Sequence, residues 1–144
     1  MLVSQMLKSK SEMGVISVTP SSSVTEAAKL LSKHRIGTVV VSADGETLDG
    51  ILSERDIVRE LGKRGTSCLN DPVSKLMTSK LTTCSPSNSA LEVLEIMTDG
   101  RFRHLPVMDD GKMVGLISIG DAVKGRLAQL AMEKASLEGM IMGH

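Results

Sequence analysis

Two stretches of the chain place a serine three residues ahead of an aspartate, behind a glycine and two apolar residues: "GILSERD" (Gly50 to Asp56) and "GLISIGD" (Gly115 to Asp121). The chemistry open to Ser-x-x-Asp is narrow. A carboxylate can accept two vicinal hydroxyls at once, and charge-assisted bonds are the stronger kind. A serine hydroxyl beside the free N–H groups of a helix start suits an anion, which the helix dipole also favours. The same spacing is also a capping box, with serine as N-cap and aspartate at N3. The sequence leaves both roles open, and one motif can fill both.

Other chemistry finds little support. There is no histidine–nucleophile pair, Walker-type loop or closely spaced pair of catalytic carboxylates, so no catalytic residues and no enzyme activity are expected. Cys68 and Cys84 show neither CxxC nor metal-ligand spacing, so no metal is expected, and the two read as ordinary thiols of a reducing cytoplasm. Charges balance at 17 basic and 17 acidic residues, and Phe102 is the only aromatic. Nucleic-acid binding, which wants a basic face or stacking platforms, is therefore not expected. No apolar run approaches a membrane span, and "MLVSQMLKSK" lacks a signal-peptide pattern, so the expected location is cytoplasmic. With 144 residues, 41% of them apolar, the chain can fill one core or two half-cores built from Val, Ile, Leu, Met and Ala.

The motif occurs twice because the unit around it does. At an offset of 66, Pro20 meets Pro86, Ala27 meets Val93, Leu31 meets Met97, Arg35 meets Arg101 and Val41 meets Val107. After the turns "ADG" and "DDG" the offset becomes 65, which puts Gly50 on Gly115, Ser53 on Ser118 and Asp56 on Asp121. The preceding segments correspond too, "VSQMLKSK" from Val3 with "VSKLMTSK" from Val73.

Each unit reads as β-α-β-β-α. "VISV" and "LTTC" are short strands stopped by Pro20 and Pro86, and Ser23 with Glu26, and Ser89 with Glu92, fit capping boxes. Apolar residues at i, i+3, i+4 and i+7 then mark one helix face. The strands "TVVVS" and "GILS", and "HLPVM" and "VGLIS", flank Asp-Gly turns, a hairpin signal. A second helix starts at each Ser53 or Ser118. Between the units, Asp71 as N-cap with Pro72 at the first helical position predicts a short helix over "VSKLM". The last helix is expected from Gly120 to about Glu138, with Gly139 as its stop and "MIMGH" frayed.

Taken together, a duplicated β-α-β-β-α unit with G-apolar-apolar-S-x-x-D after its third strand resembles a pair of CBS domains, named after cystathionine β-synthase. The match spans roughly residues 1 to 130, and "FRHLPVMDDGKMVGLISIGD" fits the family pattern closely. The resemblance implies an α/β (α+β) fold in which two units related by a pseudo-twofold axis pack as one module of the stand-alone type. The expected division is 1–66 for the first CBS domain with an N-terminal helix, 67–130 for the second, and 131–144 for a helical extension and tail. It implies adenine nucleotides, AMP, ADP, ATP or NAD, held between the halves as regulatory ligands rather than catalytic cofactors. It further implies a homodimer formed through helices and an effector protein that reads the bound state.

The resemblance also assigns residues. The aspartate of each motif would accept bonds from ribose hydroxyls, and the serine and helix start would face phosphate. Each ligand would be completed by the opposite repeat. One set is Ser53, Arg55 and Asp56 with Thr82, Arg103 and His104. The other is Ser118, Gly120 and Asp121 with Ile16, Gly37 and Thr38. Arg103 can hold phosphate bidentately, His104 can donate a further bond and Arg55 can reinforce both, so the first set suits more phosphate charge. Gly120 lets a ligand approach the backbone. The alternative is a dimerisation module with unoccupied clefts, whose helix stripes Ile57, Val58, Leu61 and Ala122, Val123, Leu127 either meet a partner or cover the intramolecular sheet.

Overall fold

The local signals become elements close to where their spacing puts them. In the computed structural model, which describes residues 1–10 and 14–141, α1 (Val3–Ser9) is followed by β1 (Ser17–Val18), α2 (Val24–His34), β2 (Thr38–Val41), β3 (Gly50–Ser53) and α3 (Glu54–Arg64). Short 3-10 turns cover Gly65–Asn70 and Val73–Lys75. Then come α4 (Ala90–Gly100), β4 (His104–Asp109), β5 (Lys112–Ser118) and α5 (Ile119–Ile141). The fold is α+β.

Serines start the helices as their spacing demands. The Ser23 hydroxyl accepts the Glu26 N–H at 3.1 Å, and the Ser89–Glu92 box is reciprocal at 3.0 and 2.9 Å. The helices α2 and α4 both end on an arginine in the left-handed region, Arg35 (φ 53°) and Arg101 (φ 58°), which are equivalent positions of the repeat. Three local expectations change. "LTTC" contributes only a bridge, Cys84 to Val107, in place of a full strand. Asp71 does not cap: its carboxylate accepts from Arg64 at 2.7 Å, Pro72 is the cap, and the helix shrinks to a 3-10 turn. The helix α5 runs through Gly139 to Ile141, because glycine lowers helix propensity by only about 1 kcal/mol and need not stop a helix. Residues 142–144 of the tail lie outside the described residues.

The chain forms two compact units, and they do not follow chain order. One comprises Met13–Thr82 with Asp110–Val114, and is called here the first-repeat unit. The other, the second-repeat unit, comprises Met1–Glu12, Thr83–Asp109 and Gly115–His144. The N-terminal helix α1 therefore packs with the second repeat, not with the first as the division at residue 66 has it. The segment from Val73 to Thr78 packs with the first.

Equivalent hydrogen bonds fix both exchanges. In the second-repeat unit Val3 N–H donates to Asn88 O (2.8 Å), Ser4 N–H to Pro86 O (3.0 Å) and Ala90 N–H to Met1 O (2.8 Å). In the first-repeat unit Val73 N–H donates to Ser22 O (2.8 Å), Ser74 N–H to Pro20 O (3.2 Å) and Val24 N–H to Asp71 O (2.9 Å).

The cores repeat the same positions. Val18, Val24, Ala27, Leu31, Val39, Val41, Leu52 and Ile57 are buried in one unit with Val73 and Leu76. Their repeat partners Cys84, Ala90, Val93, Met97, Leu105, Val107, Ile117 and Ala122 are buried in the other with Val3 and Met6. Burial pushes the Cys84 thiol up to about 11, so it behaves as a small apolar side chain. Of the helix stripes, Ile57 and Ala122 belong to these cores, whereas Val58, Val123 and Leu127 are exposed.

In the first-repeat unit, β1 pairs parallel with β2 (Ser17 opposite Val40), and β2 pairs antiparallel with β3 (Thr38 opposite Ser53). β4 and β5 form a two-stranded sheet, and in the second-repeat unit the Cys84 bridge to Val107 corresponds to the pairing of Val18 with Val41.

The glycine of each G-x-x-S run has a packing reason. A Cβ on Gly50 would lie 2.8 Å from both the Met77 sulfur and the Thr78 carbonyl oxygen. A Cβ on Gly115 would lie 2.5 Å from Leu7 Cδ2. The exchanged segment thus presses on the start of the third strand in both units. Backbone cannot yield as a leucine rotamer can. Gly50→Ala should therefore lower stability by about 1–3 kcal/mol in urea unfolding, and Gly115→Ala by clearly less. Equal losses would contradict this account of the two glycines.

Candidate functional site: two Ser-x-x-Asp helix caps

At the end of β3 the chain turns directly into α3, and Ser53 and Asp56 lock the corner. The Asp56 N–H donates to the Ser53 hydroxyl oxygen (3.2 Å), and the Ser53 N–H donates to Asp56 Oδ2 (2.9 Å). The Ser53 hydroxyl also donates to Asp56 Oδ2 at 3.0 Å. Asp56 is buried, and one turn along the helix Arg59 reaches its Oδ1 at 3.3 Å. An (i, i+3) cation on the same helix is a common partner for such a carboxylate.

The second corner repeats the box and changes the cation. The Asp121 N–H donates to the Ser118 hydroxyl oxygen (3.1 Å), and the Ser118 N–H donates to Asp121 Oδ2 (2.9 Å). The same Oδ2 accepts from the ammonium of Lys10 at 2.8 Å. Lys10 follows α1 and also donates to the Leu116 carbonyl at 2.8 Å. Burial pushes the Asp121 carboxyl up. The Lys10 and Ser118 hydrogen bonds and the Lys10 charge outweigh it, so the group titrates below its ordinary range.

Both corners are therefore true capping boxes, and the carboxylates are aimed by the helices they cap. The flanking strand starts are tied to the same corners. Gly37 O accepts from Glu54 N–H at 2.9 Å, and Arg103 O accepts from Ile119 N–H at 2.8 Å. Gly37 and Arg103 are equivalent residues of the repeat, as are Thr38 and His104. Each unit thus brings its Ser-x-x-Asp corner together with the strand start of its own repeat. Thr38 is buried opposite Ser53, and Ile16 lends its carbonyl to Val40 N–H at 3.1 Å. Arg55, Thr82, Arg103 and Gly120 are exposed, and His104 is half-buried. A Cβ on Gly120 would meet only Ser118 Oγ, at 3.6 Å, so packing does not demand a glycine there.

The cross-repeat sets divide between the units. Ser53, Arg55, Asp56 and Thr82 lie in the first-repeat unit, and Arg103 and His104 in the second. Ile16, Gly37 and Thr38 lie in the first-repeat unit, and Ser118, Gly120 and Asp121 in the second. Sequence reasoning missed Arg59 and Lys10. The first was legible from helix spacing; the second, 111 residues from Asp121, had no local signal. Among the described residues no group of three or more His, Cys, Asp or Glu is placed to hold a metal ion, and no helix is long and apolar enough to cross a membrane.

The CBS domain model matches twice, at residues 10–63 and 73–127, and the chain belongs to the CBS-domain family. It is 36% identical over 129 residues to the mitochondrial CBS domain-containing protein CBSX3 of Arabidopsis thaliana, covering 87% of this chain and 63% of that protein. The chain thus spans less than two thirds of that relative's length. Among solved structures, the CBS-domain containing protein ATU1752 of Agrobacterium tumefaciens is 42% identical, with a TM-score of 0.82 over 88% of this chain and 99% of that one. PAE2072 of Pyrobaculum aerophilum, solved with AMP, is 25% identical with a TM-score of 0.73 over 84% and 89%. The CBS domain pair of MJ0100, solved with 5′-methylthioadenosine and S-adenosyl-L-methionine, is 26% identical with a TM-score of 0.73 over 93% and 98%.

The Asp121 geometry has a pH consequence. Its pKa is lower folded than unfolded, so the stability it contributes is fully present above the ordinary carboxylate value of about 3.9. That contribution is lost as pH falls through the lower folded value. Below pH 4, urea unfolding of Asp121→Asn should show a shallower acid decline than the native chain; an unchanged decline would contradict the pairing.

Proposed function

We propose that the chain is a non-catalytic regulatory module that binds adenine nucleotides at its two Ser-x-x-Asp corners. The observation that carries the reading is the pair of intact corners, each with a carboxylate aimed by its own helix, in a fold shared with proteins solved with AMP and with S-adenosyl-L-methionine. Asp56 and Asp121 take the ribose hydroxyls, and the positive dipole ends of α3 and α5 favour the phosphate. In this reading Arg55, Thr82, Arg103 and His104 serve the Asp56 ligand, and Ile16, Gly37, Thr38 and Gly120 serve the Asp121 ligand. The basic first set favours AMP, ADP, ATP or NAD according to phosphate charge, and the module reports energy or redox state to an effector protein in the cytoplasm.

A homodimer formed through the exposed Val58, Val123 and Leu127 completes the proposal, and a monomer by light scattering would remove that part. One observation favours a purely structural role: within each motif the serine and the aspartate already satisfy each other's backbone N–H groups, so the spacing has a use without a ligand. Calorimetry of nucleotide-free protein decides between them. AMP, ATP or NAD should bind, with Asp56→Ala and Asp121→Ala each abolishing a different event. No binding at millimolar ligand would leave the structural reading. Arg103→Ala should weaken the Asp56-dependent event; weakening of the Asp121-dependent event instead would assign Arg103 to the corner of its own repeat.

A further inference from the structure

The exchanged segments make equivalent backbone bonds in both units, and at the third strand the units part. In the first-repeat unit Ile51 exchanges two backbone bonds with Thr78, Ile51 N–H to Thr78 O at 3.0 Å and Thr78 N–H to Ile51 O at 2.9 Å. The repeat partner of Ile51 is Leu116. Its carbonyl accepts instead from the side chain of Lys10, whose ammonium also holds Asp121 Oδ2 at 2.8 Å. Lys10 thus replaces a backbone bridge with a cation, and delivers that cation onto the carboxylate of the second corner.

The two carboxylates differ accordingly. On Asp56 the capping oxygen Oδ2 accepts both the N–H and the hydroxyl of Ser53, and the cation Arg59 sits on the other oxygen, Oδ1, at 3.3 Å. On Asp121 the capping oxygen carries both the Ser118 N–H and Lys10, which together use its two lone pairs. A vicinal diol binding across both carboxylate oxygens has to compete for Oδ2 with an ammonium already at hydrogen-bond distance. The Lys10 side chain is 39% exposed and that of Asp121 21%, so the pair is reachable by solvent and its opening is not a core rearrangement.

We propose that Lys10 is a tethered competitor at the second corner: the Lys10–Asp121 pair must open before a ribose diol can use Asp121, whereas the cation at Asp56 is Arg59 of the same helix, on the other oxygen and at 3.3 Å. The inference rests on the reading of Asp121 as a ribose-binding group. It makes α1, through the lysine that follows it, the element that sets the threshold for a ligand at the second corner.

The test uses the full chain carrying Lys10→Met, which keeps the side-chain stem and removes the charge. Ligand binding is measured in an Asp56→Ala background, so that only the Asp121-dependent event remains. AMP and adenosine, the latter without a phosphate for Lys10 to attract, should both bind about 3- to 5-fold more tightly, the range a partly exposed ion pair can hold back. In the ligand-free variant the Asp121 carboxyl, followed by carbon NMR, should titrate at higher pH. Unchanged or weaker binding of both ligands overturns the latch and leaves the ribose reading intact, provided the Asp121-dependent event itself is seen. If neither ligand binds through Asp121 with or without Lys10, the ribose reading fails and the latch fails with it. An Asp121 titration that does not move shows that the pair does not exist in solution, which also overturns the proposal.

Discussion

A carboxylate that caps its own helix cannot choose its direction. The rest of the molecule is arranged around that constraint, met twice, at Ser53–Asp56 and Ser118–Asp121. Each reciprocal box closes the corner between a third strand and a second helix. The strand fixes the serine, the helix fixes the aspartate, and the first-turn N–H groups of Glu54 and Asp56, and of Ile119 and Asp121, are taken up within the corner. In the proposed reading capping and ligand binding are two uses of one geometry, because what satisfies the backbone also pre-orients the acceptor and lowers the entropy a ligand has to overcome.

What holds the third strand is the exchange of the short segments that precede the repeats. Val3 and Met6 fill the core of the second repeat, and Val73 and Leu76 fill that of the first. The glycines at Gly50 and Gly115 are where those segments press in, so the first letter of G-x-x-S belongs to the packing and its last letter to the cap. The pattern is a chain of dependencies, from core to strand to corner, and each link is present in both units.

Much of this was legible because its causes are local. Ser23, Ser89, Ser53 and Ser118 announce their helices through spacing alone, and the turn glycines and prolines punctuate the strands. The buried positions also follow the repeat, since the same face of the same element must be apolar in both copies. The allegiance of α1 was not legible, because "VSQMLKSK" suits either core equally well and only the tertiary bonds to Pro86 and Asn88 decide. The loss of the Asp71 cap was hidden for a related reason, the competing pull of Arg64. Lys10 gave no signal at all, since nothing in its neighbourhood speaks of a carboxylate more than a hundred residues away.

The central claim is that the helix caps are themselves the ligand sites, and amide NMR addresses it most directly. Titrating isotope-labelled protein with AMP should move the N–H resonances of Ser53 and Asp56, and of Ser118 and Asp121, more than those of the serine caps at Ser23 and Ser89. Those two corners carry no aspartate, and they serve as internal controls. Shifts confined to other regions, or equal at all four caps, would contradict the account.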